Sequence, residues 1–239
     1  MWLNEQKISD AAISQYRKLL RKSIPKHIVI DGLFDLSKLD EVVKVLQQSS
    51  CWQTQKHTYF GLYVDDKQWQ KANKEQRFVQ RDVWLRNALS ANDTNTSHTN
   101  NINSNIAHDF LAYLRGNEFM PVLSRIFNVT LTDMHVADPA INTNYFRLGP
   151  NDFVAEHADD SPGREVCMLL YLNQEWDAHT GGELVFAGKN DQQISIPPLH
   201  NRCVLFDPST EGSEHWVNSL NTKYADRFRY NVTSWYWSE

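Results

Sequence analysis

Only three cysteines occur in 239 residues, and Cys51, Cys167 and Cys203 lie far apart in the chain. An odd, dispersed set argues against a disulfide framework and for a reducing compartment. No apolar run approaches the roughly 18 residues that a membrane span requires. The start, Met1-Trp-Leu-Asn-Glu-Gln6, has no basic stretch followed by an apolar one, so no signal peptide is expected and the cytoplasm is the expected location. A basic stripe is also missing. With net charge −5 and pI about 6.0, neither nucleic acid nor a membrane surface is an expected partner. Arg17, Lys18, Arg21, Lys22 and Lys26 do cluster near the start, and they read as the solvated face of a helix. No internal repeat or linker is visible, so residues 1–239 are expected to form one domain.

Hydrophobic residues at 41% and charged residues at 22% are ordinary globular usage. At this length a core can form without disulfide or metal staples. Eight Trp are many, and they favour strands and an aromatic-lined cavity. Residues 1–140 read as a largely helical support region. Ser9 and Asp10 precede Ala12, Ile13, Tyr16, Leu19 and Leu20 at helix spacing, and Pro25 ends that pattern. His27–Asp31 is a short β-type run. Asp35 then precedes Leu36, Leu39, Val42, Val43 and Leu46, a second amphipathic helix, and further helices are expected over 106–114 and 119–127. The polar tract 92–105 cannot build a core; it reads as a surface loop, with a lid or substrate loop as the functional alternative.

From about Ile141 the texture changes. Short β-branched and aromatic runs recur between Gly, Pro, Asn and Asp: 141–148, 166–172, 183–186, 193–196, 202–206, 215–220 and 227–237. Strands at this spacing suggest a sandwich or double-sheet jelly roll. The fold class expected is therefore α+β, mainly β, with helices of the first part packed on a 141–237 core.

His157 and Asp159 are two residues apart, so on an extended strand they face the same way. His215, 58 residues on (215 − 157), is the candidate third ligand. Two histidines and a carboxylate form the facial triad of non-haem iron(II) oxygenases, which leaves positions open for co-substrate and dioxygen. A lone His-x-Asp is a common chance pattern, but its context is informative. On the strand that follows, Arg227, Arg229, Asn231, Thr233 and Trp235 share one face. A buried guanidinium needs an anionic partner, and a dicarboxylate would supply one. Two surface arginines on an edge strand are the alternative.

His157-x-Asp159, Tyr171-Leu-Asn173, Gly181-Gly-Glu-Leu184, Phe206, His215-x-Val217 and Arg229-Tyr-x-x-Thr-x-Trp235 occur in that order. Together they resemble the prolyl 4-hydroxylase-like branch of the iron(II)/2-oxoglutarate-dependent dioxygenases. The resemblance spans about 141–237, and Ile24–Asp31 followed by a helix is similar to the family's entry. It implies a double-stranded β-helix, iron(II) on His157, Asp159 and His215, and 2-oxoglutarate as co-substrate. Arg229 matches the anchor of the distal carboxylate, with Arg227 as competitor. Tyr171 and Thr233 match further co-substrate contacts, and ascorbate is an expected accessory. The sequence departs from the family in two places. Where many relatives carry a tyrosine nine residues before the first iron histidine, this chain has Leu148, with Tyr145 nearby but out of register. Asn151 stands for the usual glycine of the preceding turn.

The implied reaction couples decarboxylation of 2-oxoglutarate to succinate with hydroxylation of an unactivated C–H bond by dioxygen. Asp159 argues against halogenating variants, which leave that ligand position vacant. By resemblance the expected substrate is a prolyl or other protein residue, and the alternative is a free amino acid or peptide natural product. Specificity is expected to reside in loops 52–80 and 92–105. Trp52, Tyr59, Tyr63 and Trp84 are candidates for substrate stacking or for the core, and Arg164 and Asp160 for a polar substrate contact or the surface. A non-catalytic metal-binding jelly-roll module is the reading from another class.

Overall fold

A computed structural model describes residues 1–86, 105–136, 138–190, 192–224 and 227–238. The expected 92–105 loop therefore lies outside the described residues, except for Asn105. Ser9 caps α1 (Asp10–Leu20) by accepting the Ala12 N–H. Asp35 caps α2 (Leu36–Gln48) by accepting from Lys38. Caps of this kind satisfy N–H groups that the first helical turn leaves open. The α2 stripe Leu39, Val42, Val43 and Leu46 is buried. Each such side chain contributes about 1.5–3 kcal/mol relative to exposure. Arg17 is half-buried and donates to the Arg125 carbonyl, while Lys18, Arg21, Lys22 and Lys26 are solvated.

Strand β1 (His27–Asp31) lies between α1 and α2, and β2 (Trp52–Thr58), α3 (Asp66–Lys71) and β3 (Arg77–Trp84) follow α2. Helices α4 (Ile106–Leu114) and α5 (Phe119–Phe127) follow. The remaining strands are β4 (Leu131–Thr132), β5 (Thr143–Leu148), β6 (Phe153–Val154), β7 (Arg164–Tyr171), β8 (Leu184–Phe186), β9 (Ile194–Ile196), β10 (Arg202–Phe206), β11 (His215–Val217) and β12 (Arg229–Ser238).

The segment 52–80 is thus not the loop expected from sequence, and residues 1–140 are not only helical support. Strands β1, β2 and β3 belong to the main sheet, whose order is β1-β10-β7-β12-β5-β3-β2, with β4 on β12 and β6 on β3. The reason is positional. An edge strand such as β2 has few apolar demands, so Gln53, Thr54, Gln55 and Lys56 give no strand signal.

The second sheet runs β11-β8-β9, all antiparallel. One face of the main sheet packs on the helices through Tyr145, Met168, Leu170, Leu205, Val232 and Tyr236. The other meets the small sheet through Cys167, Leu169, Leu184, Phe186, Val204 and Phe206. Two antiparallel sheets packed face to face are the jelly roll expected from sequence.

Candidate active site

The two sheets are tied together where the chain leaves β6. His157 and His215 exchange both backbone hydrogen bonds, at 3.0 and 2.9 Å. That pairing sets the imidazoles side by side, with ring centroids 4.3 Å apart. Asp159, two residues further, brings its carboxylate to 3.7 Å from His157 Nε2 and 3.8 Å from His215 Nε2. Ligand atoms of all three lie within 4.8 Å of one another.

Both imidazoles are oriented in the same way. His157 Nδ1 is 2.9 Å from the Ala155 carbonyl, and His215 Nδ1 is 2.9 Å from that of Ser213. A carbonyl only accepts, so each Nδ1 carries the proton and each Nε2 presents a lone pair. Burial, with His157 alongside, pushes the His215 imidazole down to about 4, which keeps it neutral. Burial alone would raise the Asp159 carboxyl. His215, His157, the Trp235 N–H and Arg164 outweigh that and hold it below the ordinary carboxylate range. Trp235 Nε1 donates to Asp159 Oδ2 at 2.8 Å. Arg164 is bound to the Asp159 backbone carbonyl and lies 3.8 Å from Oδ1, so it braces a candidate ligand. Asp160 is exposed.

The inward face of β12 carries a hydrogen-bonded series. Arg229 Nε donates to the Gly182 carbonyl at 2.7 Å, and Nη1 to Asn231 Oδ1 at 2.8 Å. Asn231 Nδ2 in turn donates to Thr233 Oγ1 at 2.9 Å. Arg229 is 1% exposed, yet its Nη2 has no partner, and neither has the buried Tyr171 hydroxyl beside it. The guanidinium carbon sits 4.9 Å from the Tyr171 ring centroid. Burial pushes that phenol up to about 12, an effect the Arg229 charge opposes. Two orphaned buried donors facing one region fit the distal carboxylate of a dicarboxylate.

Gly182 permits this arrangement. At φ +77° a Cβ there would meet Leu220 Cδ2 at 2.8 Å, Trp176 at 2.9 Å and Arg229 Cδ at 3.1 Å.

Arg227 lies elsewhere. It precedes β12, donates to the Glu175 carbonyl and lines a separate surface cavity with Trp176 and Tyr230. Tyr145 faces the helices, its hydroxyl bound to the Ala107 carbonyl, and so cannot replace the tyrosine that Leu148 lacks.

A cavity of about 760 Å³ opens beside His157, Asp159 and Trp235. Its other wall comes from β2 and β3, where sequence reasoning expected a loop and missed His57, Phe78 and Arg81. The signal available was the alternation Val79, Arg81, Val83 within Arg77–Trp84. Tyr59 and Tyr63 stand exposed at the rim, at 51% and 65%, rather than in the core. Trp84 is a core residue, and Trp52 is partly buried against Tyr230.

A sequence profile of the 2OG-Fe(II) oxygenase superfamily matches residues 142–237. That segment contains His157, Asp159, Tyr171, His215, Arg229 and Thr233. No curated protein sequence matches the chain. Among solved structures, it is similar to a Pseudomonas putida prolyl-4-hydroxylase, with TM-score 0.60, 14% identity and coverage of 95% of this chain and 99% of that one. A Burkholderia pseudomallei oxidoreductase of the 2OG-Fe(II) oxygenase family gives TM-score 0.61, 12% identity and coverage of 96% and 92%. A Trichoplax adhaerens prolyl hydroxylase, solved with a hypoxia inducible factor oxygen degradation domain peptide fragment, gives 0.59, 17%, 96% and 94%. At these identities the likeness speaks to the fold, and the profile match speaks to the family. Residues 142–237 thus resemble the 2OG-Fe(II) oxygenase superfamily in sequence, and the chain as a whole shares the fold of the prolyl-hydroxylase structures.

Proposed function

We propose that this oxygenase hydroxylates an unactivated C–H bond of a prolyl or other peptide residue, using dioxygen and converting 2-oxoglutarate to succinate and carbon dioxide. His157, Asp159 and His215 would hold iron(II). Arg229, Tyr171 and Thr233 would hold the co-substrate. The observation that carries this reading is the pairing of an open three-ligand cluster with the orphaned Arg229 Nη2 and Tyr171 hydroxyl. A structural metal site would tend to close its coordination, whereas two imidazoles and one carboxylate leave positions for small ligands.

The iron, when bound, supplies the dioxygen chemistry. The chain's own residues have simpler tasks. The Ala155 and Ser213 carbonyls fix both imidazoles with Nε2 bare. Trp235 and Arg164 hold the Asp159 carboxylate in place. Arg229 orients the co-substrate from a buried position, and the small sheet seals that side from water. We take the whole chain as one domain, since β1, β2 and β3 complete the sheet that carries the site. Three unpaired cysteines support a reducing compartment, and we place the protein in the cytoplasm. Among the described residues no helix is long and apolar enough to cross a membrane.

The test is succinate release with iron(II), 2-oxoglutarate and ascorbate, screened over prolyl peptides and free amino acids. Peptide-stimulated succinate with a matching hydroxylated product is the expected result. Stimulation by free amino acids alone would move the substrate to the small-molecule class.

A further inference from the structure

Arg81 has no part in the metal centre or the co-substrate slot described above. It points inward from β3. Asp82 pairs with Arg147 and Val83 with Phe146, so in that register Arg81 stands level with Leu148, which pairs with Arg229 on the far side. Its guanidinium carbon lies 3.5 Å from the Phe146 ring centroid. Nε is buried without a hydrogen-bond partner. Among the described residues no hydrogen bond or ion pair reaches this side chain, and Asp159, already engaged by Trp235 and Arg164, is not in contact with it. Burial, with a smaller push from the Arg229 charge, lowers the guanidinium to about 10 while Asp159 and Tyr63 oppose the shift, so it remains charged at neutral pH. A half-buried cation at a cavity wall, with a planar fork of unused donors and a fully buried Nε, calls for an anion.

The co-substrate is not the natural occupant. Arg229 and Tyr171 already face its distal carboxylate, and neither lines the 760 Å³ cavity on which Arg81 opens. That cavity is where a substrate must enter to reach His157 and Asp159. Asp159 is the only carboxylate lining it among the described residues, and His57 opposite is held neutral, its pKa pushed down to about 4 by burial, then by Arg81 and His157. The wall therefore presents one unpaired positive charge beside the metal cluster.

We propose that Arg81 binds a carboxylate of the primary substrate, and that this oxygenase acts on carboxylate-bearing molecules whose target C–H bond is aimed at the metal by that pairing. The inference rests on the oxygenase reading above and narrows its substrate class. The carboxylate has two sources, the α-carboxylate of a free or C-terminal amino acid and an acidic side chain beside the target residue.

The experiment compares acid and amide probes on wild type, Arg81→Met and Arg81→Lys. N-acetyl-L-proline and its amide report on an α-carboxylate. N-acetyl-Asp-Pro-amide and its Asn counterpart report on a side-chain carboxylate. Binding is read by perturbation of the anaerobic iron(II)–2-oxoglutarate absorption band, and by thermal midpoint on the same proteins without iron. In wild type an acid should bind about 10- to 100-fold more tightly than its amide, and Arg81→Met should abolish that ratio. Arg81→Lys should recover part of it, because it keeps the charge but not the fork. The 2-oxoglutarate affinity of Arg81→Met should be unchanged. Equal binding of acids and amides, or full acid binding by Arg81→Met, overturns the proposal. Loss of 2-oxoglutarate binding in Arg81→Met overturns it too, by assigning Arg81 to the co-substrate. Absence of the band in wild type is a failure of the oxygenase reading instead, and the iron-free thermal arm still decides the role of Arg81.

Discussion

Replacing Arg229 with methionine removes the proposed anchor while keeping most of the side-chain length. Two of its nitrogens are committed to Gly182 and Asn231, and the third, buried and unpartnered, is the one available to a ligand. A hydrogen bond to a charged group contributes about 1.5–3 kcal/mol, so its loss should raise the dissociation constant of 2-oxoglutarate roughly 10- to 150-fold. The fold faces opposed effects. Asn231 Oδ1 and the Gly182 carbonyl each lose a donor, at about 1–3 kcal/mol apiece, while an uncompensated buried charge disappears. Thermal unfolding should therefore accompany the titration, to separate lost binding from lost fold. The binding assay is anaerobic titration of the iron(II)-loaded protein with 2-oxoglutarate, followed by the visible charge-transfer band. Arg227→Met is the control: its guanidinium bonds the Glu175 carbonyl outside the site, so affinity should hardly move. Wild-type affinity in folded Arg229→Met, or a larger loss in Arg227→Met, refutes the assignment.

Trp235→Phe removes the 2.8 Å bond to Asp159 Oδ2 and should weaken iron(II) about 10- to 100-fold, as other ligand-orienting groups do; unchanged metal titration would sink this role for Trp235. Gly182→Ala meets both its positive φ and the Leu220 and Arg229 side chains, so denaturant unfolding should report a loss of about 1–3 kcal/mol, together with weaker 2-oxoglutarate binding; a neutral result would mean the turn is more accommodating than its contacts imply. The His57 imidazole is pushed from 6.5 down to about 4, chiefly by burial, and its Nδ1 accepts the Tyr63 N–H at 3.0 Å. Because the folded value lies below the unfolded one, the unfolded chain takes up the proton first as pH falls. The stability that neutral His57 contributes is present above about pH 6.5 and lost as pH falls towards 4. In His57→Gln, denaturation measured from pH 7 to 4 should have a shallower slope than wild type, and an identical slope would exclude the effect.

Much of the scaffold is written locally. Helices α4 and α5 occupy the expected 106–114 and 119–127 because each has an apolar stripe and Asn105 caps α4. His157 and Asp159 are legible because a period of two puts both on one face, and His215 because it follows a β-type run. What stayed hidden depends on long-range pairing. Arg229 and Arg227 are in phase along the chain, and only the start of β12 at Arg229 separates them. Arg81 looks like one more charge in Arg-Phe-Val-Gln-Arg-Asp-Val-Trp. Its inward direction follows from the pairing of β3 with β5, which no local pattern encodes.

The central claim, that this chain binds iron(II) through His157, Asp159 and His215 and presents it to 2-oxoglutarate, is tested most directly by anaerobic absorption spectroscopy of wild type and Asp159→Ala. A visible band that requires both iron(II) and 2-oxoglutarate in wild type, and is lost in folded Asp159→Ala together with turnover, is the predicted result. Absence of the band from wild type, or full band and turnover in Asp159→Ala, would contradict it.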